Sequence, residues 1–193
     1  MALKKHWYDI VAPSMFENKV IGETLTADPK QLIGRKIEVS VMDLTNDYSK
    51  FYMKVQFQIE KLDGNKAHTK FIGHYCMRER IYRMIQRRIR RVDSIQDVKT
   101  KDGKTIRVKT VFILLKRINT SVKDATRRKS RELIDKIAGE TDFNDFIKLI
   151  IKGELQQKIR KDVSKVYPIG DLEIRKTELK ESKVLEKAKK EAK

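Results

Sequence analysis

Between Arg78 and Arg91 the chain crowds arginines together, with Glu79 the only acid among them. On a helix of about 100° per residue, Met77, Ile81, Met84 and Ile85 fall on one side. Arg80, Arg83, Arg87 and Arg90 fall on the opposite side, and Arg88 and Arg91 add to the field at the end of the segment. Guanidinium groups bind phosphate bidentately and stack on bases, so this pattern has the chemistry of a polyanion grip. A merely solvated helix face would usually mix signs, whereas a block of like charge reads as an interaction surface.

Further basic groups lie along the chain. Lys123, Arg127 and Arg131 are spaced by four, so a helix would put them on one face. Arg128 and Lys129 flank them, and Lys116 and Arg117 precede that helix. Lys158, Arg160 and Lys161 form another group, partly offset by Asp162. Lys4 and Lys5 stand beside His6, Trp7 and Tyr8. A base could stack on Trp7 or Tyr8. An aromatic this near a terminus more often staples the terminus to the core, and that is the expectation here. Basic clusters spread over the whole chain suit a large folded RNA. A duplex reader would concentrate them on one recognition element.

Catalytic constellations are missing from the sequence. His74 and Cys76 are two apart, but metal sites want three or four ligands at recognisable spacing, and His6 and His68 do not supply it. On a strand His74 and Cys76 would share a face, with Cys76 a small core residue. There is no Walker A loop, GxSxG, HExxH or GxGxxG. Carboxylate pairs such as Asp9 with Glu17 and Asp142 with Asp145 read as caps and surface charge. No enzyme activity, metal or cofactor is expected.

The elements that must position these groups begin with strands. Ile37, Val39 and Val41 alternate with polar residues, and so do Phe51, Met53, Val55, Phe57 and Ile59, the period of a strand with one buried face. A turn at Asp63-Gly64-Asn65 follows, and a three-residue loop would pair Phe57 with Phe71 and Met53 with Tyr75. A second hairpin turns at Asp102-Gly103, between strands through Ile95 and Val98 and through Ile106, Val108 and Val111 to Leu115. Long antiparallel strands predict a barrel or a strongly curled sheet.

Helical signals interrupt and then follow the strands. Asp28-Pro29 to Gly34 reads as a short capped helix, and the arginine segment as a helix from Met77 to about Arg88. Ser121 to Asp124 resembles a capping box, with Gly139 the stop of that helix. Thr141 or Asp142 caps another, with Phe143, Phe146, Ile147 and Ile150 apolar and Gly153 a breaker. Leu155, Ile159 and Val163 continue at a spacing of four, and Leu172 and Ile174 suggest a late strand. The predicted class is α+β: an antiparallel β-barrel or curled sheet flanked by helices, with a helical C-terminal third. Residues 1–177 are expected to form one β-rich domain, and 178–193 a charged helix or disordered tail.

Composition bounds the partner. The 193 residues carry 45 Lys+Arg against 27 Asp+Glu, a formal net charge of +18. Many charges of both signs could belong to any soluble protein, but a one-sided excess of this size repels itself unless a polyanion neutralises it. The longest apolar run, Val111 to Leu115, is strand-sized, far from a membrane span, and the N-terminus lacks the apolar core of a signal peptide. The last residues offer only Leu179, Val184, Leu185, Ala188 and Ala192 as an apolar face, too little to enter a membrane interface. The single cysteine, Cys76, forms no internal disulfide, which fits a reducing compartment.

The residues also resemble a known family. Trp7-Tyr8-Asp9, Ala12-Pro13, Met15-Phe16, Ile21-Gly22 and Thr24-Leu25 open the likeness. Gly34-Arg35, Glu38-Val39-Ser40, Asp43-Leu44, Asn46-Asp47, Val98-Lys99-Thr100 and Asp102-Gly103 continue it, and Ile159, Tyr167-Pro168, Asp171 and Arg175-Lys176 end it. In this order and spacing they resemble the S-three-a family of small-subunit ribosomal proteins of archaea and eukaryotes, also called eukaryotic-type S-one. Eukaryotic members carry longer basic N-terminal and extended C-terminal segments, so the chain resembles the archaeal type. The resemblance implies a β-barrel flanked by helices on the platform of the small subunit, near the messenger exit and the 3′ end of the small-subunit RNA. It implies structural binding to ribosomal RNA, contact with neighbouring small-subunit proteins and with messenger RNA near the exit, and no catalysis. The implied place is the cytoplasmic ribosome. No compact RNA-contact motif carries over, so the candidate contacts rest on charge alone. A free-standing assembly factor and an enzyme acting on RNA are the competing classes. Copies per small subunit separate the first from a ribosomal component, and turnover lost on joint replacement of His74 and Cys76 would reveal the second.

Overall fold

The computed structural model describes residues 4–116 and 118–180. They divide into two compact units, one up to Met77 and one from Arg78. The first unit contains β1 (His6–Val11), β2 (Val20–Thr26), β3 (Lys36–Ser40), α1 (Val41–Thr45), β4 (Met53–Asp63) and β5 (Lys66–Cys76). Its strands lie in the order β2-β1-β5-β4-β3. All neighbours are antiparallel except β1 and β5, which run parallel.

Alternation in β4 buries Met53, Val55, Phe57 and Ile59 on one face, as expected, but Phe51 lies in the turn before the strand and is 57% exposed, and Val41 heads α1 and does not extend β3. Phe57 is fully buried, and removing its ring from water contributes about 2–3 kcal/mol. It packs edge-on against Phe16 at 5.6 Å between ring centroids and against Phe71 at 6.5 Å. Phe57 does pair with Phe71, but by a different route from the expected loop. Asp63 pairs with Lys66 across a two-residue turn, and a register shift between Ile59 and Lys61 restores the apolar match. A further shift between Gln56 and Phe57 sets Met53 opposite Cys76 and not Tyr75. Cys76 is a buried core residue on the same strand face as buried His74.

The second unit contains α2 (Arg78–Met84), β6 (Arg90–Lys99), β7 (Thr105–Leu114), α3 (Thr120–Glu140), α4 (Phe143–Lys152), α5 (Glu154–Val163) and β8 (Ile169–Lys180). β6, β7 and β8 form an antiparallel ladder. α3 buries Thr126, Ser130, Ile134 and Ala138, a row at spacing four, and packs on β6. α4 and α5 bury Phe146, Ile147, Ile150, Leu155, Ile159 and Val163. Gly153 joins them at φ 85, a left-handed conformation that a Cβ would strain.

Several expectations are corrected. The strands do not form an antiparallel barrel or a strongly curled sheet. They belong to mixed sheet structure in which, among the described residues, β2, β3 and β6 each pair on one side only. Alternation reports one buried face and is the same in open and closed sheets, so it could not decide closure. The arginine helix stops at Met84, Arg87 and Arg88 lie in a turn, and Arg90 and Arg91 begin β6. The long helix α3 starts after Asn119 and runs through Gly139 to Glu140, so neither the Ser121 capping box nor the glycine stop operates. Residues 29–32 make only a single 3-10 turn. Glu178–Lys180 belong to β8, and the rest of the predicted tail, 181–193, lies outside the described residues.

Candidate nucleic-acid interface

The register of β6, β7 and β8 decides which basic groups meet. Arg90 pairs with Leu114, and Leu114 with Ile169. The start of β6, the end of β7 and the start of β8 therefore share one end of the ladder. Arg90 and Arg91 stand there on β6, and exposed Lys116 follows β7. Two more arginines anchor at the start of β8. Arg160 of α5 donates to the Gly170 carbonyl at 2.5 Å, and Arg80 of α2 pairs with Asp171 at 3.3 Å.

The α3 group joins this end through Asp93. Arg91 pairs with the Asp93 carboxylate at 3.0 Å, and Arg127 donates to the Asp93 carbonyl at 3.1 Å and to Asp124 at 2.9 Å. Arg131 reaches Ser94 Oγ at 3.3 Å and the Ile95 carbonyl at 3.4 Å. Among the described residues β6 pairs with β7 alone, so the two arginines bond the backbone of an edge strand. Beside them an open groove of about 650 Å³ is lined by Asp93, Ile95, Asp124, Arg127, Arg131 and Asp135 among others. Burial pushes the Asp135 carboxyl up from its ordinary value, against the pull of Arg131.

The α5 group completes the cluster. Asp162 pairs with Lys165 at 2.9 Å, and Lys165 holds its carboxyl below the usual range, with Lys129 and Lys161 contributing from α3 and α5. Arg128, Lys129, Lys158 and Lys161 are exposed and Lys123 is half-buried. Thus the structure gathers the groups at residues 80–91, 116, 123–131 and 158–161 within the second unit. Lys4 and Lys5 are exposed ahead of β1 in the first unit, and Arg117 lies outside the described residues.

The ladder's other end is electrically different. Asp97 of β6 takes two hydrogen bonds from Arg107, at 2.8 and 3.1 Å, and one from Lys180. Arg107 and then Lys180 hold its carboxyl far below the usual carboxylate range. Glu178 pairs with Lys176 at 2.7 Å and Lys109 at 3.0 Å, and its carboxyl is also lowered. Charges of opposite sign satisfy one another here. At the basic end, by contrast, Arg83, Arg87, Arg88 and Arg90 are exposed with no carboxylate pairing among the described residues.

Sequence reasoning missed Tyr82, which is 66% exposed between Arg78 and Arg83 on α2. The helical projection held the signal, because Tyr82 falls outside the apolar stripe. The stapling expectation is overturned for Trp7, which is 61% exposed, while Tyr8 next to it is buried. Strand alternation on β1 sends the two rings to opposite faces.

Comparison with known proteins gives the family. The chain is 42% identical over 91% of its length to small ribosomal subunit protein eS1 of Methanothrix thermoacetophila, covering 83% of that protein. The protein of the same name from Desulfurococcus amylolyticus is 39% identical over 91% of the chain and 82% of its own length. That of Methanobrevibacter smithii is 36% identical over 91% of both. A family model described as the Ribosomal S3Ae family matches residues 2–183. A strand-rich protein of +18 with a basic end to its second unit therefore belongs to the Ribosomal S3Ae family.

Proposed function

We propose that the chain is a structural constituent of the small ribosomal subunit that binds ribosomal RNA through Lys and Arg contacts to phosphates. The supporting observation is the basic end of the β6-β7-β8 ladder, where exposed arginines lack carboxylate partners among the described residues. Neutralising phosphates there releases counterions and supplies affinity. The similarity to small ribosomal subunit proteins eS1 supports the particle. The family is non-enzymatic, so the role is support of translation by the cytoplasmic ribosome. The family resemblance supports a seat on the platform near the messenger exit, beside other small-subunit proteins.

The test is quantitative sedimentation of cell extracts. The protein should run with small subunits at one copy each and leave them only at high salt. A pool sedimenting free of the subunit, or far fewer copies than subunits, would replace this reading with a transient assembly factor.

A further inference from the structure

We infer that Tyr82 is a stacking platform for an unpaired RNA base whose flanking phosphates are held by Arg78, Arg83, Arg87 and Arg88, an inference that rests on the RNA-binding reading above. α2 buries Ile81 and Met84, at 4% and 7% exposure, and turns Tyr82 outward at 66%. The ring therefore has no part in the core. Arg78 lies one turn before it on the same side, and Arg83 follows it. The helix then ends, and Arg87 and exposed Arg88 continue around a turn in which Arg88 takes the left-handed φ of 68. None of these four arginines has a carboxylate partner among the described residues, and Glu79 is the one acid in the segment.

That geometry distinguishes the kind of RNA. A duplex offers a regular backbone, and guanidiniums alone would grip it. Its base faces are already stacked on one another, so an exposed phenol ring gains nothing from them. An unstacked base in a loop or a single strand has a face to offer, and aromatic rings beside arginines are how proteins take it. A seven-residue helix followed by a turn is a corner that follows an irregular backbone. The other exposed aromatics are set differently. Phe51 packs edge-on against Tyr52, with ring centroids 5.8 Å apart. Trp7 shares its strand face with Asp9 and Glu23, which pair across β1 and β2. Tyr48 follows Asp47 on a 3-10 turn that carries one lysine, Lys50. Tyr82 combines exposure with the dense arginine surround.

The experiment measures binding of the full chain to a short unstructured RNA and to a duplex of the same length, at one salt concentration. Tyr82→Ala should weaken the unstructured RNA about 5- to 100-fold and leave the duplex unchanged, with Tyr82→Phe close to wild type. Arg87→Ala with Arg88→Ala should weaken both. If Tyr82→Ala binds like wild type while the arginine pair weakens binding, stacking is overturned and phosphate binding stands. If neither change weakens binding, both readings fail at this site. A second variant, Trp7→Phe with Tyr82→Trp, gives a direct signal. Its fluorescence should be quenched by the unstructured RNA, and an unchanged spectrum at saturation overturns the proposal.

Discussion

At the scale of single residues, arginines of one cluster do two kinds of work. Arg127 and Arg131 donate to backbone carbonyls of β6 and so belong to the fold. Arg87 and Arg88 are exposed and bond to nothing among the described residues. Replacing Arg127 and Arg131 together by alanine should cost about 1–2 kcal/mol in stability, because each lost hydrogen bond is worth about 1 kcal/mol. Replacing Arg87 and Arg88 should leave stability within about 0.5 kcal/mol. Urea unfolding of the two double variants checks this. Equal losses would mean that the exposed pair is structural too. Sequence could not separate these arginines, since the carbonyls they meet come from a strand some 35 positions away, as in the separations of 34 and 36 for Arg127 and Arg131.

At the scale of elements, the β6-β7-β8 ladder sorts charge by its two ends. Asp97, Arg107 and Lys180 tie its three strands together, and the Asp97 carboxyl is lowered by that contact. A carboxyl lowered on folding adds stability that is present above its unfolded pKa, about 3.9, and lost as pH falls through the folded value. Asp97→Asn should therefore be less stable than wild type at neutral pH, by no more than about 1 kcal/mol for so exposed a network. The difference should shrink as pH drops below about 4. Thermal unfolding across that range measures it, and a gap that persists undiminished in acid would remove the ion network as its cause. Period-two alternation had announced these strands through Ile106, Val108 and Leu172. It could not announce that β8 continues to Lys180, because the Lys- and Glu-rich segment is apolar-poor and its strand form goes with its pairing to β7.

At the scale of the whole molecule, a net charge of +18 on 193 residues makes salt the natural probe. Phosphate contacts give log K a linear fall with log salt, with a slope of about −0.9 per contact on duplex and about −0.7 on single strands. Arg87→Ala with Arg88→Ala should make the slope for RNA shallower by about 1–2 and weaken binding to all sequences alike. Filter binding over a salt series reads this directly. An unchanged slope would show that those arginines touch no phosphate. Lys176, Lys180, Arg107 and Lys109 already have carboxylate partners, so substituting them should alter the slope much less.

The sequence by itself determined the class of partner, the strand-rich character and most helix positions. Net charge, period-two alternation and the Phe146, Ile150, Leu155, Ile159 row are local or additive quantities, and folding does not rearrange them. The like order of short motifs from Trp7 to Lys176 also carried the family. Only the tertiary structure decided that the sheet structure stays open, because closure depends on which edges find partners. It alone split the arginine stripe, ending α2 at Met84 and passing Arg90 and Arg91 to β6. It also brought Arg80, Arg91, Arg127 and Arg160 to one end of a ladder, since that end exists only once β7 has paired with both β6 and β8.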